Sequence, residues 1–360
     1  MHVRYENDDH FHENALCGTP PGTTRSGRRR KRANTVNTQP PGSAETYDVI
    51  VVGGGAAGLS AALTLGRARR SVLVVDSGLP RNAPADGLHA YLGREGTAPE
   101  DFLRTARTEV AGYGVRVTSG EAVSASREEE GFRVALAAGG SALGRRLLVA
   151  TGLVDELPEL PGLSRLWGRS VIHCPYCHGW EVRDRRIGVL STGPFSLHQA
   201  FTWHQWSPQV TLFTHTGPEP GDEDRERLAA LGITVVSGKV TALEEERDEL
   251  RGVRLEDGRV VSLDVLSIAP RFTVHASFLE PLGLKPVEEQ MHGHTIGEVI
   301  RTDPTGATGV PGVWAAGNVT SPMEQVIGAA SAGNRVAAAI NTDLIMADTA
   351  AAVAARSSSG

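Results

Sequence analysis

The sequence predicts an α/β protein built on two βαβ units, and three observations carry that reading. The β-branched apolar run Asp48–Val52 feeds a glycine-rich turn and a helical segment, Leu59–Arg67, before a second apolar run ends at Asp76. A similar strand–helix–strand pattern returns at Ile187–Leu190, continues near Leu197–Trp206 and ends in Val210–Phe213. The chain has 360 residues, which at about 150 residues per domain suits two cores. Parallel strands covered on both faces read as unbroken apolar runs, and these segments do.

Composition narrows the function classes. Hydrophobic residues make up 40% and charged residues 22%, as in an ordinary soluble domain. A formal charge of −6 argues against a nucleic-acid partner. No run of about 18 uncharged apolar residues occurs, so neither a transmembrane helix nor a membrane partner is expected. Three cysteines are too few for a disulfide scaffold. Only three of the 36 basic residues are lysine, a bias that a GC-rich genome would give.

The ends read differently from the middle. Residues 1–45 hold two Pro-Pro pairs, few large aliphatics and the basic cluster Arg28–Arg32, and are expected to be a disordered tail with Cys17 as a bystander. No apolar segment follows the arginines, as an export signal would require, so a cytoplasmic protein is expected. Val326–Met346 is Ala-rich and helical, and residues 347–360 are expected to be a flexible C-terminus.

Two motifs carry chemistry on their own residues. In Gly53-x-Gly55-x-x-Gly58 the first glycine permits a tight turn, Gly55 admits a pyrophosphate to the backbone and Gly58 lets the helix pack closely on the strand. Ala56 and Ala57 then open a helix whose N-terminus attracts phosphate. Asp76, 18 residues beyond Gly58, is placed to bind an adenosine ribose. The second motif is His173-Cys174-Pro175-Tyr176-Cys177-His178-Gly179. A redox-active dithiol fits the C-x-x-C spacing, since one thiolate is stabilised by its partner and the local dipole. Zinc and inert core cysteines are the competing readings. Zinc lacks a second ligand pair at suitable spacing, so no metal site is expected.

Gly312-Val-Trp-Ala-Ala-Gly317-Asn318, followed by Gln325-Val326-Ile-Gly328, looks like the second flavin-binding signature of two-dinucleotide-domain flavoproteins. With Ala150-Thr151-Gly152 as a third, these motifs in this order resemble the low-molecular-weight thioredoxin reductase family over about residues 47–345. The resemblance implies two Rossmann-like (FAD/NAD(P)-binding) domains, the second inserted into the first, with FAD as cofactor and a homodimer as the assembly. The FAD domain would span 46–160 and 289–346, and the insert carrying the C-x-x-C 161–288. Cofactor contacts would come from Gly53, Gly55, Ala56, Ala57, Gly58, Asp76, Thr151, Gly152, Gly317, Asn318, Gln325 and Val326. Cys177 would be the flavin-proximal thiol and Cys174 the interchange thiol. The family has Asp where this chain has Asn318, and Asp as general acid where it has His178. An imidazole near pKa 6.5 exchanges protons readily at neutral pH.

The insert departs from the family. Its nucleotide turn is Ser191-Thr192-Gly193-Pro194-Phe195-Ser196, without the first glycine and with a proline that removes a phosphate-binding N–H. The next strand ends Thr214-His215-Thr216, without the arginines that grip the 2′-phosphate of NADPH. Poor binding of pyridine nucleotide is expected. Cys-x-x-Cys-His-Gly instead looks like the motif of thioredoxin reductase-like dithiol oxidases of the gliotoxin and holomycin type. These close disulfides in small-molecule dithiols, with O₂ as acceptor and H₂O₂ as product. An NADPH-dependent thioredoxin-type reductase, a ferredoxin-fed flavin reductase and a flavin-binding redox sensor remain as alternatives. His89, on the loop after the second strand, reads equally as a substrate-cleft or a surface residue.

Overall fold

The computed structural model describes residues 46–358; the expected tail and Cys17 lie outside them. One sheet holds Arg116–Ser119, Val72–Asp76, Thr46–Val52 and Ser141–Val149 in parallel, with Val313–Ala315 beside the last of these. Gly131–Leu136 and Ala122–Glu128 extend it as an antiparallel ribbon. Its central strands are the unbroken apolar runs of the sequence, and Val49, Ile50, Val51, Leu73, Val74, Leu147 and Leu148 are fully buried. One face of this sheet packs on the helix Ala56–Arg67 and on the long helix Val326–Ser358.

A second parallel sheet is ordered Thr234–Val236, Val210–Phe213, Ile187–Leu190, Val265–Ile268 and Val171–Ile172. It has its own cores around Leu190, Phe213 and Leu266 and around Trp203 and Val189. The chain leaves the first sheet after Val149 and returns to it at Val313, so the second α/β unit is inserted into the first, as expected. Between them Val154–Glu156 pairs antiparallel with Arg271–Thr273. Arg271–Thr273 in turn joins the hairpin formed by Val287–Met291 and His294–Val299.

Two expectations need correction. The boundary at 289 is too late: Ala276, Phe278, Leu279 and Leu284 pack with Tyr47, Ile50 and Leu73 in the first unit's core. A short 3₁₀ segment gave no periodic signal by which to place it. Residues 347–358 are not a flexible end but continue the last helix to Ser358, because Ala is the strongest helix former. By length and composition alone that helix is also long and apolar enough to cross a membrane. Its N-terminal half is a core helix instead, with Ala329, Ala332, Val336, Ala337, Ile340 and Leu344 buried.

Candidate active site

The glycine signatures meet at the C-terminal edge of the first sheet. Gly53 has φ +107°, and a Cβ there would lie 2.2 Å from the Ala150 carbonyl oxygen. A Cβ on Gly58 would lie 1.9 Å from the Gly53 carbonyl, and one on Gly317 2.8 Å from the Ala57 Cβ. The three motifs thus pack within reach of one another's backbone or Cβ atoms. Gly55 differs, since a Cβ there would meet nothing within 4 Å. It caps the helix that opens at Ala56, where no side chain takes the first N–H groups. Thr151 has a buried hydroxyl with no partner among the described residues, and Gly152 beside it has φ +70° and open space over it. An unsatisfied hydroxyl, an open glycine and a bare helix N-terminus fit a flavin nucleotide.

Asp76 is already held. Its Oδ1 accepts the Gly54 N–H at 3.1 Å and its Oδ2 accepts from Arg107 at 2.8 Å. A carboxylate has about four acceptor positions, so a ribose hydroxyl can still be bound. Arg107 was missed in the sequence because an arginine on a half-exposed helix carries no local signal. Asn318 lies in a 3₁₀ turn before the last helix. Its amide donates to the carbonyls of Ser321, Pro322 and Glu324 at 3.1, 3.2 and 2.8 Å, which leaves its Oδ1 as the group for a ligand. Gln325 and Val326 follow as the entry to that helix, and the Gln325 carbonyl accepts the Ala329 N–H.

Cys174 and Cys177 are joined as a disulfide with Cα atoms 5.2 Å apart. Cys174 caps a single helical turn, Pro175–His178, with proline at the position that needs no N–H. The Cys177 and His178 N–H groups both donate to the Cys174 carbonyl at 3.2 Å. Both cysteines are half-buried, while the neighbours Tyr176 and Trp180 are 66% and 67% exposed. The disulfide therefore stands at a surface that a small molecule can reach.

His178 has a buried Nδ1 with no partner among the described residues. Burial pushes its pKa below the ordinary imidazole value, against which the Glu181 carboxylate acts. The ring is thus neutral at pH 7 and can accept a proton. His173 is likewise held down by burial; its Nδ1 lies 3.0 Å from the Ile268 carbonyl oxygen and its ring packs edge-on against Phe272. The loop after the second strand comes to this turn. His89 Nδ1 lies 2.7 Å from a Glu95 carboxylate oxygen and its Nε2 lies 3.6 Å from Glu181. These contacts join His89 to Glu181, three residues beyond His178. Glu181 and Glu95 were not singled out in the sequence.

The second nucleotide turn is closed by its own backbone. The Ser191 carbonyl accepts the N–H groups of Thr216 and Gly217 at 3.2 and 2.9 Å, and a Cβ on Gly217 would lie 2.0 Å from Ser191 Oγ. The Ser196 N–H is spent on the Gly193 carbonyl. Phe195 rests against His292 and His294 of the 287–299 hairpin, with ring centroids 6.3 and 5.8 Å away. His215 Nδ1 accepts the Val240 N–H.

Two dinucleotide-type units with a disulfide on the inserted one define a flavin- and nucleotide-fold disulfide oxidoreductase. Residues 47–333 match the family model described as pyridine nucleotide-disulphide oxidoreductase, and the chain belongs to that family. It is an enzyme acting on sulfur groups. It is 31% identical over 322 residues to thioredoxin reductase sirT of Leptosphaeria maculans, covering 85% of this chain and 96% of that one. Thioredoxin reductase tcpT of Claviceps purpurea is 31% identical over 318 residues, covering 83% of this chain and 94% of the relative. The crystal structure of HlmI is similar at TM-score 0.80 and 42% identity, covering 89% of this chain and 99% of the other. An oxidoreductase from Agrobacterium tumefaciens follows at TM-score 0.78 and 35% identity, covering 84% and 99%.

Proposed function

We propose that this protein is an FAD-dependent dithiol oxidase that closes a disulfide in a small-molecule substrate, with O₂ as acceptor and H₂O₂ as product. The observation that carries this reading is the pairing of an accessible Cys174–Cys177 disulfide with His178, whose buried Nδ1 has no partner among the described residues, in a chain whose second nucleotide turn is closed at Ser191. His178 takes the proton of an incoming thiol, and the thiolate attacks Cys174 Sγ and releases Cys177 as thiolate. The second substrate thiol then attacks the mixed disulfide and releases Cys174. The substrate leaves oxidised by two electrons, and the protein holds the dithiol. FAD, when bound along Gly55, Thr151 and Asn318, supplies the onward transfer of that electron pair to O₂. The departure of Ser191–Ser196 and Thr214–Thr216 from a nucleotide-binding pattern favours this over an NADPH-dependent thioredoxin reductase. We take the working form to be a cytoplasmic homodimer, to be checked by light scattering and by fractionation of the source cells.

The test is flavin bleaching under nitrogen. A dithiol such as dithiothreitol should bleach the yellow protein and NADPH should leave it yellow, with air restoring the colour and releasing peroxide. Rapid bleaching by NADPH would overturn the reading.

A further inference from the structure

We propose that Glu181, clamped by His89, is a positioning residue for His178, so that a string of titratable side chains links the first unit's loop to the redox turn. The inference deepens the dithiol-exchange reading above and rests on it for its biological meaning. Its physical basis is independent of that reading.

Burial leaves His178 neutral, and the same burial makes it a poor base. A partly buried imidazole that must take a proton needs a nearby anion. Glu181 stands three residues on, in the turn where the Val182 N–H donates to the His178 carbonyl at 3.2 Å. Among the charges around His178, its carboxylate is the strongest one favouring the protonated ring; Asp86 acts the same way, and His89 acts against it. His173 is a further titratable neighbour, and it too feels His178.

Glu181 is 41% exposed in its side chain, so alone it would sample many rotamers and lose most of its effect to water. His89 supplies the restraint. Its Nε2 lies 3.6 Å from Glu181, and its Nδ1 is fixed at 2.7 Å by Glu95. The other Glu95 oxygen accepts the Ala90 N–H at 3.0 Å. The loop beneath is tied across its base, Leu88 N–H to the Thr97 carbonyl and Gly96 N–H to the Leu88 carbonyl, both at 2.8 Å. Ala90 is held at φ +56°, a conformation that a non-glycine residue adopts only when its surroundings demand it. The loop is thus built to present His89 toward the redox turn.

The experiment is a titration of the His178 ring by ¹³C NMR in flavin-loaded wild type, Glu181→Gln, Glu181→Asp and His89→Gln. Dithiothreitol bleaching is followed on the same samples. Glu181→Gln should lower the His178 midpoint by about one pH unit, and move the acid limb of bleaching with it. Glu181→Asp, which keeps the charge, should restore most of the shift. In the His89→Gln background, Glu181→Gln should lose at least half its effect, since the two act as one unit. An unchanged His178 midpoint in Glu181→Gln, or an undiminished effect without His89, would overturn the inference. Wild-type flavin that dithiothreitol fails to bleach would instead sink the oxidase reading, and the His178 titration would still decide the role of Glu181.

Discussion

The side-chain amide of Asn318 donates to the Glu324 carbonyl at 2.8 Å, and the same nitrogen also reaches the carbonyls of Ser321 and Pro322. These bonds fold the turn that leads into the last helix. An aspartate, the residue resembling enzymes have here, cannot donate them. Asn318→Asp should therefore turn a carboxylate onto three carbonyl oxygens and cost roughly 2 kcal/mol, the order of losing a part-buried donor and leaving its acceptors unpaired. Urea denaturation measures it; an unchanged midpoint would mean that the turn is held by something else.

Gly55 and Gly53 should separate folding from flavin binding. At Gly53 an added Cβ meets the Ala150 backbone, whereas at Gly55 it meets open space. Gly53→Ala should therefore destabilise the protein itself. Gly55→Ala should leave its thermal midpoint nearly intact while weakening flavin retention at least about tenfold, or 1.4 kcal/mol. The ratio of absorbance at 450 and 280 nm after dialysis reads the second effect, and full retention in Gly55→Ala would remove that glycine from the cofactor site.

Cys177→Ser should retain flavin and lose bleaching by dithiol altogether, since no protein disulfide remains to be exchanged. Cys174→Ser should do the same. Trapping distinguishes the two thiols: with Cys177→Ser, a substrate disulfide should leave a mixed disulfide on Cys174, visible by mass spectrometry. A trapped adduct on Cys177 in the converse variant alone would reverse their roles.

Acid should loosen this protein before its carboxylates titrate. Burial depresses the folded-state pKa of His173, His178 and His215, while an unfolded histidine titrates near 6.5. Below that pH the unfolded chain takes up protons that the native rings resist. This stability is therefore fully present above about pH 6.5 and is lost as pH falls beneath it. Thermal midpoints measured from pH 8 to 5 should decline through the lower half of that range, less steeply in His178→Ala. A flat profile to pH 5 would contradict the assignment.

Much of this arrangement was legible in the sequence because it rests on local rules. Gly53, Gly58 and Gly317 announce themselves, since only glycine leaves room for the Ala150, Gly53 and Ala57 atoms that press on them. The apolar runs at Val49–Val52 and Val72–Val75 could be little else but buried parallel strands. What stayed hidden is what depends on distant partners. Arg107 on Asp76, Glu181 beside His89 and Phe195 under the 287–299 hairpin join residues that no spacing rule connects. The helical stretch 347–358 was misjudged for another reason. Its polar and alanine-rich composition suggests looseness, but alanine propensity and helix continuity outweigh the lack of packing.

The Ser191 carbonyl, claimed by the amides of Thr216 and Gly217, also bears on metabolism. A disulfide enzyme that draws on nicotinamide is tied to the ratio of reduced to oxidised pyridine nucleotide in its cell. On the oxidase reading proposed above, a turn folded onto itself uncouples the chain from that ratio and leaves its flux to the supply of thiols and oxidant.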